Sequence, residues 1–290
     1  MYQDDFKPIC VGDLINENDK YSFIIPSFQR GYRWNEKQVK DLLNDLNTFV
    51  NGNTNQSDTY YLQPLIVCKN NDSNNSWYVL DGQQRLTTLR ILIHNLTQFA
   101  SLYVSTSIEN GLYDLDYQSR AQISFDAPNK DIDINNYYVS LADEIVKEWI
   151  TNLLSNPNGD HYLSNILGAL MSKNPTNNQL STNGIKFVKL IWFDISNASS
   201  MNIVDEIEIY NRFNSNKIKL TPSELIKALY VLKNKNLPND NISNLLSEWN
   251  NIEKQFQSDK FWHLLSPSDT QTRIDFLFNV LINNYSEEEL

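Results

Sequence analysis

The segment from Val79 to Leu89 constrains the fold of this 290-residue chain more than any other. The apolar run Trp77–Leu80 predicts a β-strand, and the dipeptide Asp81-Gly82 that follows it is typical of a turn. Apolar residues then recur at helical spacing from about Gln84 to Tyr103. The sequence therefore predicts a strand, a tight turn and a helix. Such a turn leaves the first backbone N–H groups of the helix available to an anion.

The spacing of apolar residues predicts both strands and helices in the first part of the chain and mainly helices in the second part. We predict an α+β fold, with a small mixed sheet and helices in residues 1–126 and a mostly helical part in residues 127–290. One strand of the second part, about 187–193, is expected to return to the first sheet. The predicted strands are Tyr21–Ile25, Tyr60–Cys68, Trp77–Leu80, Ile123–Phe125 and Phe187–Phe193. The predicted helices are Glu36–Val50, Gln84–Tyr103, Ile134–Leu154, Tyr162–Met171, Ile203–Phe213, Pro222–Lys233, Ile242–Phe256 and Thr272–Tyr285.

Charge and cysteine content limit the classes of function. The chain has 24 Lys and Arg against 35 Asp and Glu, a net charge of −11. A fold-wide basic surface for nucleic acid is not expected, because phosphate neutralisation needs clustered cations. Cys10 and Cys68 have no metal-ligand spacing and do not form a disulfide framework. The polar N-terminus does not resemble a signal peptide, and no apolar run approaches the ~20 residues of a membrane span. We therefore predict a cytoplasmic protein without membrane contact.

The turn at residues 81–85 carries groups suited to a phosphate. Gly82 lets the backbone approach a ligand closely, and Arg85 offers a planar fork for phosphate oxygens. Asp81 could hold a metal ion or orient a water molecule. Gln83 and Gln84 supply amides for a sugar, a phosphate or the attacking water. An ordinary capped helix start explains the aspartate and the glycine, but not two glutamines and an arginine in the first turn.

A second candidate is the loop between the predicted strand Tyr21–Ile25 and the predicted helix Glu36–Val50. It contains Gln29, Arg30 and Arg33 together with three aromatic residues. The arginines could meet phosphates, and an aromatic ring could stack on a base. Alternatively, the aromatic side chains pin the loop to the core while the arginines pair with surface carboxylates. The sequence of this loop fits both interpretations.

A third candidate is the polar turn that follows the predicted helix Ile203–Phe213. Asn214 and Lys217 could reach a ligand from this turn, and Lys227 falls about two turns into the next predicted helix. A well-capped helical hairpin explains the same residues.

Several catalytic motifs are missing from the sequence. His94, His161 and His263 are scattered, so neither a zinc site nor a histidine-metal nuclease is expected in these residues. The sequence has no Gly-x-x-x-x-Gly-Lys-Ser/Thr phosphate loop and no Gly-x-Ser-x-Gly nucleophile elbow.

Together, these motifs resemble one family, the N-terminal domain of GmrSD-type, modification-dependent restriction systems. The family's signature is Asp-Gly-Gln-Gln-Arg, found here at residues 81–85, and the domain is related to the ParB/sulfiredoxin-like nucleotide-binding fold. The resemblance runs from about residue 9 to 285. Its motifs are Ile25-Pro26 with Gln29, Arg30, Tyr32 and Trp34; Tyr61–Val67; Asp81–Leu89; Phe213-Asn214 with Lys217, Leu220-Thr221 and Glu224–Ala228; Phe261-Trp262; and Thr272–Leu277.

The resemblance implies an NTP-binding and NTP-hydrolysing sensor domain of a bacterial anti-phage system. Its nuclease is of the HNH type, fused downstream or supplied by a second subunit, and DNA would be contacted by the full assembly. In this scheme Asp81 would bind Mg²⁺ or orient water, Gln84 would position the nucleophile and Arg85 would hold phosphates. The predicted nucleotide-binding residues are Gln29, Arg30, Gly82, Gln83, Asn214, Lys217 and Lys227.

Two other functions fit the same residues. The chain could be a nucleotide-gated binding module that does not hydrolyse its ligand. It could also be a DNA-reading adaptor whose loop at residues 29–34 touches DNA, although the acidic balance counts against this. Homo-oligomerisation is compatible with the sequence, and the base of the nucleotide is left open.

Overall fold

The computed structural model describes residues 6–27, 29–52, 59–70, 75–101, 111–118, 122–125, 133–173, 186–196, 239–265 and 272–284, with single positions between 221 and 233. These residues form strands and helices in one α+β fold, which confirms the predicted fold class. The strands are β1 (Phe6–Cys10), β2 (Ser22–Ile25), β3 (Thr59–Lys69), β4 (Ser76–Asp81), β5 (Asp114–Tyr117) and β6 (Phe187–Asp194). The helices are α1 (Glu36–Asn51), α2 (Gln83–Ser101), α3 (Ile134–Leu154), α4 (Gly159–Met171), α5 (Asn239–Gln257), α6 (Asp259–Leu265) and α7 (Asp275–Asn284).

The strands form one mixed sheet in the order β1-β6-β3-β4-β2-β5. Strand β2 is parallel to both of its neighbours, β4 and β5. Strand β3 is antiparallel to β4, as the predicted hairpin requires, and parallel to β6. Because β2, β4 and β5 run in the same direction, they end at one edge of the sheet. The residues that follow them therefore lie close together at that edge, where open α/β sheets usually bind ligands.

One described segment differs from its predicted structure. Residues Ile123–Phe125 are not a strand, because the side chain of Asn136 bonds the N–H of Ser124 (3.0 Å) and the C=O of Gln122 (2.9 Å). The strand at the β2 edge of the sheet is instead β5, which pairs with β2. The predicted helix Ile203–Phe213 lies outside the described residues.

One hydrophobic cluster crosses residue 126 and packs the first four helices against the sheet. Leu43 of α1, Leu89 of α2, Val146 of α3 and Ile166 of α4 are completely buried in it. Helix α3 contacts both α1 and α2. Burying one such side chain stabilises the fold by about 1.5–3 kcal/mol. The core therefore holds the first turn of α2 in a fixed position at the carboxyl edge of β2, β4 and β5.

The later helices are joined by a buried arginine. The guanidinium of Arg273 donates to the C=O of Gln257 (2.8 Å) and to the carboxylate of Asp259, and it lies 5.4 Å from the ring centroid of Trp262. This residue links the ends of α5 and α6 to the start of α7. No helix in the described ranges is long and apolar enough to span a membrane.

Candidate functional site

The strand–turn–helix predicted from residues 77–89 is present in the structure. Strand β4 ends at Asp81, and α2 begins at Gln83 after a single turn residue, Gly82. The first helical hydrogen bond runs from the N–H of Leu86 to the C=O of Gly82 (3.0 Å). The N–H groups of residues 83–85 precede this bond and therefore have no partner within the helix. Their dipoles make the start of α2 electropositive.

Gly82 is held in a backbone conformation that favours glycine. Its φ is +97°. A Cβ at this position would lie 3.0 Å from Cδ1 of Leu65 and 3.2 Å from the C=O of Pro64. The turn can therefore pass against β3 only because residue 82 has no side chain.

Substitution Gly82→Ala is expected to lower the free energy of unfolding by about 1–2 kcal/mol, because alanine strains a left-handed backbone. Urea unfolding measures this loss. Gly168→Ala is a matched control, since a Cβ there meets nothing within 4 Å. Gly168 lies within α4, where alanine is favoured over glycine by about 1 kcal/mol. Equal stability of the two variants would contradict the assigned strain.

The loop at residues 26–35 is bonded to this strand–turn–helix. The side chain of Gln29, 1% exposed, donates to the C=O of Val79 (2.7 Å). The Gln84 amide donates to the C=O of Gly31 (2.9 Å) and accepts from the N–H of Arg33 (2.8 Å). The first two sequence candidates are thus one structural unit, and both ends of the Gln84 amide are engaged in holding it together.

Tyr32 anchors the loop to the core. It is completely buried, its hydroxyl bonds Oγ1 of Thr88 (2.8 Å), and its N–H donates to Oδ1 of Asn135 (2.6 Å). Burial raises the pKa of Tyr32 well above its usual range, which outweighs the lowering effect of the Thr88 hydrogen bond. Trp34 also packs against the core. These two aromatic residues therefore pin the loop, while Phe28 lies outside the described residues.

The two arginines of the loop have different surroundings. Arg33 donates to the C=O of Tyr32 (2.8 Å), lies 3.8 Å from the carboxylate of Glu253, and stacks 5.5 Å from the ring centroid of Tyr138. Arg30 is half-buried, and within the described ranges it makes no hydrogen bond or ion pair. The residues on either side of it, Gln29 and Gly31, are both bonded to the β4–α2 unit. Arg30 is therefore held beside that unit with its charge uncompensated by described neighbours.

Arg85 clamps the start of α2 to β3. Its guanidinium donates to the C=O of Gln63 (2.6 Å), to the C=O of Pro64 (3.3 Å) and to Oε1 of Gln63 (3.1 Å). Burial lowers the pKa of Arg85, while the nearby groups of Asp81 and Tyr60 oppose this change. The guanidinium of Arg85, which was predicted to bind phosphates, thus already donates hydrogen bonds to the protein.

Asp81 and Gln83 flank the turn residue. Asp81 is half-buried, and its charge acts on Arg85. The described residues contain no group of three or more His, Cys, Asp or Glu side chains able to hold a metal ion. Gln83 is 6% exposed, and its Oε1 has no hydrogen-bond partner in the described structure.

The third sequence candidate is only partly visible. Asn214 and Lys217 lie outside the described residues. Lys227 is buried, and its ammonium donates to Oδ1 of Asn250 on α5 (2.9 Å). The structure thus brings together Gln29, Arg30 and residues 81–85, and it places Lys227 against α5. Gln63 belongs to the Tyr61–Val67 motif, but the sequence predicted no individual role for it, and Asn135 was not singled out at all. The roles of both residues arise from contacts between distant parts of the chain.

Comparison with known proteins gives one family. The sequence model of the GmrSD restriction endonuclease N-terminal domain matches residues 11–231, more than half of the chain. A search among curated proteins gave no match. The family indicates a component of a restriction-type anti-phage system and implies association with a nuclease domain or subunit. As the resemblance of its motifs predicted, the chain belongs to the family of GmrSD restriction endonuclease N-terminal domains.

Proposed function

We propose that the chain binds a nucleoside triphosphate at the β4–Gly82–α2 turn, hydrolyses it, and thereby regulates the nuclease part of the restriction system. The observation that carries this proposal is the position of Arg30. Arg30 is half-buried and makes no hydrogen bond or ion pair with the described residues, and the residues on either side of it are bonded to β4 and to the first turn of α2. An arginine in this loop and the start of a helix therefore lie in the same structural unit. Both features attract a negatively charged group, and phosphates are the usual anions bound at such turns.

The backbone supplies the other part of the phosphate site. Gly82 allows the tight turn against β3, and the N–H groups of residues 83–85 precede the first helical bond of α2. Phosphate oxygens would accept from these N–H groups, and Arg30 would offset their charge. Because the core and the Gln29 and Gln84 bonds already fix these groups, little reorganisation accompanies binding.

Asp81 is the residue that would hold Mg²⁺. A single carboxylate fits this ion, which proteins usually bind through one or two carboxylates together with substrate phosphates and water. When bound, Mg²⁺ supplies positive charge to the β- and γ-phosphates. Asp81 lies at the end of β4, adjacent to the turn and electrostatically coupled to Arg85. In the absence of the ion, the positive charge of Arg85 would offset the negative charge of the Asp81 carboxylate.

Arg33 offers a route from this site to the later helices. Its N–H is held by Gln84 of α2, and its guanidinium faces Glu253 of α5. Helix α5 follows the matched range, which ends at residue 231. We propose that nucleotide binding at the turn is communicated through Gln84, Arg33 and this ion pair to the part of the system that carries the nuclease.

A nucleotide-gated binding module without hydrolysis is the second candidate function. The observation that favours it is that the side chains of Gln84 and Arg85 both form hydrogen bonds with the protein. These bonds stabilise the fold, so the two residues have a structural role that requires no reaction. Such a module would bind NTP in the same place and act through the same Arg33 contacts, without hydrolysing the nucleotide.

Phosphate release from ATP, GTP, CTP and UTP, each with and without Mg²⁺, tests the proposal. We expect steady Mg²⁺-dependent turnover of at least one NTP by the wild-type chain, reduced about 100-fold or more in Asp81→Ala. Equilibrium binding of each NTP is measured in parallel. Binding without turnover supports the module, and neither binding nor turnover contradicts the proposed function.

A further inference from the structure

Gln83 has a buried polar atom that the fold does not use. Its Oε1 is enclosed and lacks a hydrogen-bond partner in the described part of the chain, although the residue is 6% exposed. Leaving a buried acceptor unpaired destabilises a protein by about 1–3 kcal/mol. The partner of such an acceptor is therefore expected to be a water molecule or a group of a bound ligand.

The side chain lies at the start of α2. Side chains on a helix tilt towards its N-terminus. The side chain of the first helical residue therefore projects beyond the end of the helix. Residues four apart share one helix face, which groups Gln83 with Thr87. The hydroxyl of Thr87 bonds the hydroxyl of Tyr117, the last residue of β5 (2.7 Å). Gln83 is therefore on the side of α2 that faces the carboxyl edge of the parallel strands.

The neighbouring glutamine is differently placed. Gln84 donates to Gly31 and accepts from Arg33, so its amide oxygen already has a donor. An amide oxygen can only accept a hydrogen bond. An unprotonated phosphate has no hydrogen to give, so the partner of Gln83 Oε1 must be an O–H or N–H group. At a site that hydrolyses NTP, the attacking water is such a group.

We propose that Gln83, and not Gln84, positions the attacking water, an inference that rests on the proposed hydrolysis. On nucleotide binding, the Gln83 amide turns out of its enclosed position, and Oε1 then accepts one hydrogen of the water and directs the water oxygen towards the γ-phosphorus. The new O–P bond forms as the bond from the γ-phosphorus to the bridging oxygen breaks. The leaving diphosphate keeps that electron pair, and the proton lost by the water passes to inorganic phosphate.

The paired variants Gln83→Met and Gln84→Met test this assignment in the full chain. In Gln83→Met we expect kcat to fall about 100-fold with little change in KM. Its melting temperature should stay the same or rise, because an unpaired buried acceptor is removed. In Gln84→Met we expect a lower melting temperature, because the N–H of Arg33 and the C=O of Gly31 lose their partner.

Kinetics with ATP, GTP, CTP and UTP in Mg²⁺, together with thermal unfolding, provide both readouts. An unchanged kcat in Gln83→Met overturns the assignment. A raised KM at constant kcat also overturns it, because Gln83 would then contact the nucleotide itself. A melting temperature that falls together with activity overturns it as well. If the wild-type chain hydrolyses none of the four, the proposed function fails. If the wild-type chain hydrolyses an NTP and Gln83→Met hydrolyses it with the same kcat, only the role of Gln83 is refuted and the proposed function stands.

Discussion

Alanine in place of Arg30 is expected to lower NTP hydrolysis about 100-fold or more. The free energy of unfolding should stay within about 0.5 kcal/mol of the wild-type value. The physical reason is that Arg30 makes no hydrogen bond or ion pair with the described residues, while the residues on either side of it are bonded to β4 and to Gln84 in the first turn of α2. Its loss would remove charge compensation for the phosphates and little else. Phosphate release and urea unfolding of the same preparation measure the two quantities.

Arg90 provides the control for this substitution. It lies on α2 and donates from Nε to the C=O of Tyr113 (3.0 Å), so its interactions are with the protein. Arg90→Ala should therefore lower stability while kcat stays near the wild-type value. Wild-type turnover by Arg30→Ala would show that Arg30 does not face the reacting phosphates.

Arg85→Ala is expected to lower both activity and stability. Hydrolysis should fall about 100-fold or more, since a cation beside the turn is lost. The free energy of unfolding should fall by about 1.5–3 kcal/mol, because the bonds to Gln63 and Pro64 come from a charged donor. Arg85→Lys keeps the charge but not the fork, so it should recover part of the activity and less of the stability.

Gln63→Ala separates the two effects of Arg85. It removes the Oε1 acceptor but leaves both backbone carbonyl groups available to the guanidinium. We expect a smaller loss of stability than in Arg85→Ala and nearly unchanged hydrolysis. A fully stable Arg85→Ala protein would contradict the clamp, and a fully active one would contradict the phosphate role.

Elements with a strong local pattern could be predicted from the sequence. Helix α1 is an example, because its apolar stripe and its N-cap are both local: Asn35 accepts from the N–H of Gln38 (3.3 Å). Helix α3 was predicted with both of its ends correct. Strand β5 could not be predicted, since its four residues form a strand only through pairing with β2. A short polar strand of this kind carries too little apolar periodicity to be recognised.

The candidate site was predictable in its parts and not in its assembly. The turn at Gly82 and the basic loop around Arg30 each carry a local signal. That Gln84 joins them depends on contacts with Gly31 and Arg33, about 50 residues away, which no local pattern contains. The same holds for the choice between the two neighbouring glutamines. Their sequence context is almost identical, and only the packing of the 26–35 loop distinguishes the engaged amide from the unpaired one.

The position of the triphosphate is the most direct test of the account. A crystal structure of the full chain with Mg²⁺ and a non-hydrolysable analogue of the bound NTP would show it. We predict phosphate oxygens about 2.7–3.2 Å from the N–H groups that begin α2, with the guanidinium of Arg30 beside them. A triphosphate bound elsewhere, with the β4–Gly82–α2 turn contacting no phosphate, would contradict the assignment of this turn as the nucleotide site.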